Sequence, residues 1–282
     1  MKLVVLILLL LVGVMSLVTT ITPGSRQYNK PNPVRDIGKE IAKPLSQVET
    51  LGPELTKALD RTGVKLPSLT GTKPQKIDAA HALQDFTGAV FANMDLPRTN
   101  FAGSVLSGAE FREALLDESS LEGASGENVN FKGARMAKSN LNAAHFPNSD
   151  FTSADLREAK ARAGQFGDAK FIDSDFSFSS FAGAALNKSD FRAGYGAGAS
   201  FVGADATGAI FDGADLTGVR FDNASLNKAT FSATNLKAAN FAGAKLHGAD
   251  LSGAVNLTTE QLVKACTSSE TRLPEGVTAP RC

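Results

Sequence analysis

The residues best suited to chemistry in this 282-residue chain are three histidines, two cysteines and a recurrent series of aspartates. His81, His145 and His247 lie far apart. No Cys, Asp or Glu stands around them at metal-ligand spacing, so no metal site is expected. The aspartates are Asp95, Asp150, Asp155, Asp175, Asp190, Asp205, Asp215 and Asp250. Paired carboxylates are the equipment of general acid–base catalysis. Here they recur at one position of a repeat, which assigns them a structural role, and Asn100, Ser120, Asn130, Asn140, Asn235 and Asn240 share that position. Gly194-Tyr-Gly-Ala-Gly198 resembles a phosphate-cradling loop, but it sits inside the unbroken repeat rather than between a strand and a helix. No nucleophile elbow, P-loop or dinucleotide fingerprint stands in its required context. No catalytic residue, no metal and no cofactor is therefore expected, and the chain reads as a non-enzyme.

The element that must position these residues runs from Phe86 to Leu251. Every fifth residue along it is a centre, and 30 of the 34 centres carry Phe, Leu or Met. The exceptions are Gly126, Ala161, Gly196 and Ala206, and 17 of the 18 Phe lie on the register. The residue two places before each centre is nearly always small, as at Ala89, Ser104, Ala109 and Ala124. A period of five fits neither the 3.6 of a helix nor the 2 of a strand. A fixed short repeat signals a solenoid whose units bury their apolar residues only by stacking. Gly or Asn two places after many centres, such as Gly88, Asn93, Gly203 and Gly213, predicts a turn ending each five-residue side.

Segments such as Gly203-Ala-Asp-Ala-Thr, Gly213-Ala-Asp-Leu-Thr and Gly248-Ala-Asp-Leu-Ser resemble the pentapeptide-repeat family, with its A-(D/N)-(L/F)-X-X unit. The resemblance implies an all-β, right-handed quadrilateral β-helix with four repeats per coil and inward centres. With 20 residues per coil, Phe91, Phe111, Phe131, Phe151, Phe171, Phe191, Phe211 and Phe231 fall on one side as a core stack. About 8.5 coils at roughly 4.8 Å spacing make a rod on the order of 40 Å long. Where a centre is small, a large centre in the same column is expected to fill the space: Phe146 and Phe166 for Gly126, and Phe176 for Gly196.

Four segments follow. Residues 1–21 are a membrane anchor or signal peptide, since Leu3 to Ser25 carries no charge and is long enough to span a bilayer. The stretch is longer than a signal-peptide core and lacks a clear cleavage site, which favours an anchor through residues 3–21. Residues 22–84 are a Pro-containing stalk with short helices at 34–42 and 53–62, and Ile77 to Leu83 begin to cap the rod. Residues 85–255 are the β-helix. Residues 256–282 are a cap, in which Thr258 and Gln261 make a capping box for a short helix over Thr259 to Ala265, followed by an extended strap. Both cysteines, Cys266 and Cys282, lie in this cap. They form either a disulfide pinning strap to helix or two free thiols, and the leader favours an oxidising compartment and hence the disulfide. That places the rod outside the cytoplasm, in the periplasm of a bacterial cell, although Arg26, Lys30, Arg35 and Lys39 argue for the opposite orientation. Secretion after cleavage is the alternative.

Two surface features exceed what the repeat requires. Arg98, Glu118, Lys138 and Glu158 stand one coil apart at the same corner, with alternating sign. Phe178, the one Phe off the register, faces outward and with Tyr195 and Ile172 forms a candidate contact patch for a protein partner. The expected function is a non-catalytic, membrane-associated scaffold or protein-interaction rod. The family resemblance implies an alternative, since some pentapeptide-repeat proteins mimic DNA with an acidic rod and protect DNA gyrase from quinolones. Phe86 to Val255 holds 15 Lys and Arg against 19 Asp and Glu. That mixture is a poor imitation of a phosphate backbone, and no nucleic acid is expected as a partner.

Overall fold

A computed structural model describes residues 83–282. The anchor, the stalk and its two short helices lie outside these residues. The chain divides into units of residues 1–71 and 72–282, and the second is described by itself. Among the described residues no helix is long and apolar enough to cross a membrane.

The period of five is a walk around a four-sided coil. Outward residues pair in parallel with the residue 20 positions later, without a break from Asp85↔Val105 to Asn235↔Val255. Each pairing is held from both sides: the Phe171 amide donates to the Asp190 carbonyl at 2.6 Å, and the Asp190 amide donates to Ala169 at 2.9 Å. A side is thus three residues, with the small residue and the centre pointing in and the residue between them pointing out. The next two residues turn the corner. The amide three places after most centres closes the turn onto the centre's carbonyl, as Ala154 does on Phe151 at 3.0 Å, whereas the Val129 amide donates to the Ser149 hydroxyl at 3.0 Å. The residue two places after the centre takes the positive φ that the third residue of a type II turn requires. That φ is 68° at Gly198 and 58° at Phe178.

The Phe stack runs unbroken. Ring centroids of successive members from Phe91 to Phe231 lie between 4.6 and 5.1 Å apart and nearly parallel. A second, shorter stack joins Phe181, Phe201, Phe221 and Phe241 across the rod. The two meet edge to face, as at Phe191 and Phe201, 5.5 Å apart at 86°. That is the favoured alternative to face-on contact for rings of the same quadrupole.

The small centres are filled by different means. At Gly196 the ring of Phe176, one coil below, occupies the space a Cβ would need. The same ring lies 2.7 Å from where a Cβ on Gly194 would stand. At Gly126 the nearest atoms belong to the coil below and to the next side. Val129, at a position usually held by Ala or Ser, puts its Cγ2 2.9 Å from the absent Cβ, and the Leu106–Ser107 backbone closes the other side. Phe146, one coil above in the same column, leans toward this coil, its ring centroid 5.4 Å from Phe131 against 6.5 Å from Phe151.

The inward small positions also carry hydroxyls. Ser174 and Ser179 donate to the Phe171 and Phe176 carbonyls at 2.7 and 2.6 Å. Ser119 and Ser139 are equally buried, but their Oγ atoms have no partner. An unpaired buried hydroxyl costs about 1–3 kcal/mol against an apolar isostere. Ser139→Ala is therefore expected to raise the urea midpoint, while Ser179→Ala lowers it.

The cap departs from the expected boundaries. Helix α1 covers Thr259–Leu262, one turn, not Thr259 to Ala265. Its box is formed by Gln261, whose side-chain oxygen accepts from the Thr258 amide at 2.8 Å. Leu257 and Leu262 are buried on either side of it. The Gln261 amide group donates to the Leu236 and Ala239 carbonyls, both at 2.8 Å; the Ala239 carbonyl has no coil above to pair with, while that of Leu236 also accepts its own turn amide at 3.1 Å. The helix ends early because the wall reclaims the chain. Cys266 donates to Ala244 at 2.8 Å and pairs with Lys245, a step of 21 rather than 20 residues. Asp250 then pairs with Arg272, a step of 22, and the strap returns to pair Arg281 with Thr267.

Candidate functional site

The recurrent aspartates close corners. Every one of them except Asp95, which is followed two places on by Pro97 and so meets no N–H, accepts the amide two residues on, an otherwise unpartnered turn N–H. The distances are 2.9 Å at Asp150, 3.2 Å at Asp155, 3.0 Å at Asp175, 3.1 Å at Asp190 and 3.1 Å at Asp215. Asn130, Asn140, Asn235 and Asn240 do the same through their amide oxygens. Several turn the NH2 group along the rod as well, as Asn130 does to Glu110 at 2.7 Å. Arginines two residues on add a second clamp on the same carboxylates, Arg157 on Asp155 and Arg192 on Asp190, each at 2.6 Å.

These bonds set the acid response of the rod. Partial burial pushes the Asp155 carboxyl up, but the Arg157 bonds outweigh it and hold the group below its ordinary value. At Asp205 burial likewise pushes the carboxyl up, and bonds from Thr207 and Asn187 outweigh it and hold the group below its ordinary value. The Ser252 hydroxyl lowers Asp250. Groups lowered in the folded state stabilise it fully above the unfolded carboxylate pKa of about 4, and that contribution is lost as pH falls through the folded values. The thermal midpoint is expected to be flat from pH 6 to 8 and to drop below about pH 4. Asp155→Asn should flatten part of that drop.

The alternating corner is an ion-pair ladder. Arg98 Nε meets Glu118 at 3.0 Å, and Lys138 meets Glu158 at 3.8 Å. Exposed pairs of this kind contribute about 0–1 kcal/mol each. The ladder stops one coil above Glu158, at Phe178. Its ring is 71% exposed and lies across Gly198, 2.8 Å from where a Cβ would stand. Tyr195, 56% exposed, stands outward on the same side, paired with Asp175. Ile172 occupies the corner entering that side and is half-buried. All three glycines of Gly194–Gly198 therefore make room for Phe rings of the coil below: Gly194 and Gly196 for Phe176, Gly198 for Phe178.

The cap contains a grouping that sequence spacing did not suggest. His247 sits at a corner, its backbone amide bonded to Asn227 at 3.0 Å. Its Nε2 lies 3.0 Å from Cys266 Sγ and 3.4 Å from Cys282 Sγ. The cysteines themselves are at disulfide distance, with Cα atoms 5.5 Å apart. The reading of His247 as isolated is thus corrected. The available signal was the interval of 19 residues from His247 to Cys266, one short of a coil. The extra residue in the last wall hides it by moving Cys266 off the register. His145, by contrast, faces Gln165 at 3.0 Å, and His81 lies outside the described residues.

Residues 85–123, 127–160, 197–223 and 214–253 match the model of pentapeptide repeats, in eight copies. No curated protein matches the chain. Among solved structures, the chain is similar to HetL, a pentapeptide repeat protein involved in heterocyst differentiation regulation in the cyanobacterium Nostoc sp. strain PCC 7120. Identity is 21%, with 69% of this chain and 90% of that one covered and a TM-score of 0.57. QnrB1, a plasmid-mediated fluoroquinolone resistance protein, is 16% identical over 70% of this chain and 92% of its own, with a TM-score of 0.48. The HetL likeness shows the fold, a right-handed β-helix solenoid.

Proposed function

We propose, from the premise that this rod is a run of pentapeptide repeats, that the chain is a non-catalytic protein-interaction rod held at a membrane by residues 3–21, with the rod outside the cytoplasm. The observation that carries the interaction reading is the apolar step at Phe178 and Tyr195. It ends a run of paired charges that occupies the same corner in the four coils below it. A bulky residue at positive φ is a costly place for an exposed ring, and aromatic side chains are the usual anchors of protein contacts. The coil needs neither ring, because Arg, Glu, Lys, Gly or Ala serves at the corner of Phe178 in other coils, and Asp, Leu, Arg or Asn at the outward position of Tyr195. The uncharged leader supports the membrane reading.

Photo-crosslinking in cells tests the surface. A photoreactive residue replacing Phe178 or Tyr195 is expected to give one discrete adduct. The same residue at Asp168 or Lys188, on the opposite side of the rod, should give none. Equal labelling at all four positions would contradict the reading. Fractionation of cells, with thiol labelling of Cys266 and Cys282 before and after reduction, tests compartment and anchoring. Recovery of the chain in the soluble cytoplasm with both thiols reactive would contradict it.

The DNA-mimic alternative meets a physical objection. Arg98, Arg135, Arg157, Arg192 and Arg220 each pair with a carboxylate on the rod itself, so the acid surface is broken up by paired cations. A gyrase supercoiling assay with a quinolone decides it: protection at stoichiometric protein would replace the interaction reading.

A further inference from the structure

We propose that, with its cysteines reduced, the cap binds one divalent cation of the zinc class through His247 Nε2, Cys266 Sγ and Cys282 Sγ, and that oxidation of the same two sulfurs to a disulfide expels it. The three ligand atoms all lie within 4.8 Å of one another. In a tetrahedral site with bonds of about 2.3 Å to sulfur and 2.0–2.1 Å to nitrogen, neighbouring ligands stand roughly 3.5–3.8 Å apart. His247 Nε2, at 3.0 and 3.4 Å from the two sulfurs, needs to retreat by only a few tenths of an ångström. The sulfurs must part from a covalent separation of about 2 Å. The two cysteines are unequally free to allow this. Cys266 is locked in the wall by its bonds to Ala244 and Leu246, both at 2.8 Å, and is half-buried. Cys282 is exposed on the strap and held by one amide bond to Thr267 at 3.3 Å. Its side chain is the one that swings.

The donor set selects the ion. Two thiolates and an imidazole suit zinc and its soft neighbours, whereas calcium and magnesium require oxygen. His247 is exposed, so the fourth position opens to water. The exchange balances. Each metal-bound thiolate gives up one electron as the S–S bond forms, and the cation departs. A disulfide oxidant takes the two electrons, draws two protons from water, since the bound thiolates carry none, and leaves as two thiols. The cap therefore has two alternative staples between strap and wall, a covalent one under oxidising conditions and a metal one under reducing conditions.

The test uses the full chain in detergent micelles, reduced and kept under argon. Cobalt(II) is titrated in, and the thiolate-to-cobalt charge-transfer absorption is read. The expected result is one cobalt per chain, displaced by zinc and released by oxidised glutathione with recovery of a disulfide. Cys282→Ser should abolish the band. His247→Ala should weaken binding by more than the roughly 10–100-fold that loss of an outer partner costs. Far-UV circular dichroism of each variant separates loss of ligand from loss of fold. If Cys282→Ser fails to fold, His247→Gln, at an exposed corner, carries the test. Absence of the band when both thiols are free by titration overturns the proposal. So does a band that His247→Ala and His247→Gln leave unchanged.

Discussion

Phe171→Ala is expected to destabilise the rod by about 3–5 kcal/mol, the range for truncating a buried ring that cannot be replaced by collapse. Phe171 is sandwiched between Phe151 at 4.8 Å and Phe191 at 4.6 Å, almost parallel to both, and touches Phe166 and Phe181 edge-on. Backbone pairing fixes the coil spacing, so the stack cannot close over the gap. A solenoid is held by contacts between neighbours only, and a void at its middle weakens the coupling between its halves. Urea unfolding followed by far-UV circular dichroism should therefore show a lower midpoint and a broader transition. Phe178→Asn is the matched control. The same residue type is removed from the corner, where the ring is exposed and Asn tolerates the positive φ, so stability should stay within about 0.5 kcal/mol of the parent or rise. Equal losses at 171 and 178 would show that the five-residue register does not separate core from surface.

The second large effect runs against the repeat consensus. Leu fills most centres in the column that holds Gly196, so Gly196→Leu looks like a repair. It is expected instead to destabilise by about 1–3 kcal/mol, the usual result of overpacking, because the ring of Phe176 already occupies that space. Phe176→Leu alone should cost stability by leaving the space beside Gly194 and Gly196 empty. Combined, the two changes exchange one ring and one gap for two Leu centres. The double variant should recover much of both losses, with a coupling on the order of 1–3 kcal/mol. Additive losses would mean that Phe176 does not compensate for Gly196.

The contrast between these positions marks how far the sequence could be read. The coil of 20 residues, the Phe91–Phe231 stack and the outward position of Phe178 follow from counting in fives, because each coil reuses one geometry. Counting fails where a residue answers to a neighbour outside its column. Val129 presses on Gly126 from the small-residue position of the next side, a contact that a column-by-column comparison never inspects. It fails again at the cap, where wall pairing at Cys266 ends the helix at Leu262 instead of Ala265 and shifts the register by one. That single residue shortens α1 and conceals the meeting of His247 with both cysteines. The aspartates were legible as structural, but their task of accepting the turn amide two residues on emerges only once the corner conformation is known.

The claim that this rod works through the Phe178–Tyr195 side is tested most directly by one paired measurement on Phe178→Asn/Tyr195→Ser. The double variant is compared with Asp168→Asn/Lys188→Asn for recovery of the crosslinked partner and for thermal midpoint. The account predicts that the first variant loses the partner while its thermal midpoint stays at or above the parent value, and that the second retains both. Undiminished partner recovery by the Phe178→Asn/Tyr195→Ser chain would contradict it.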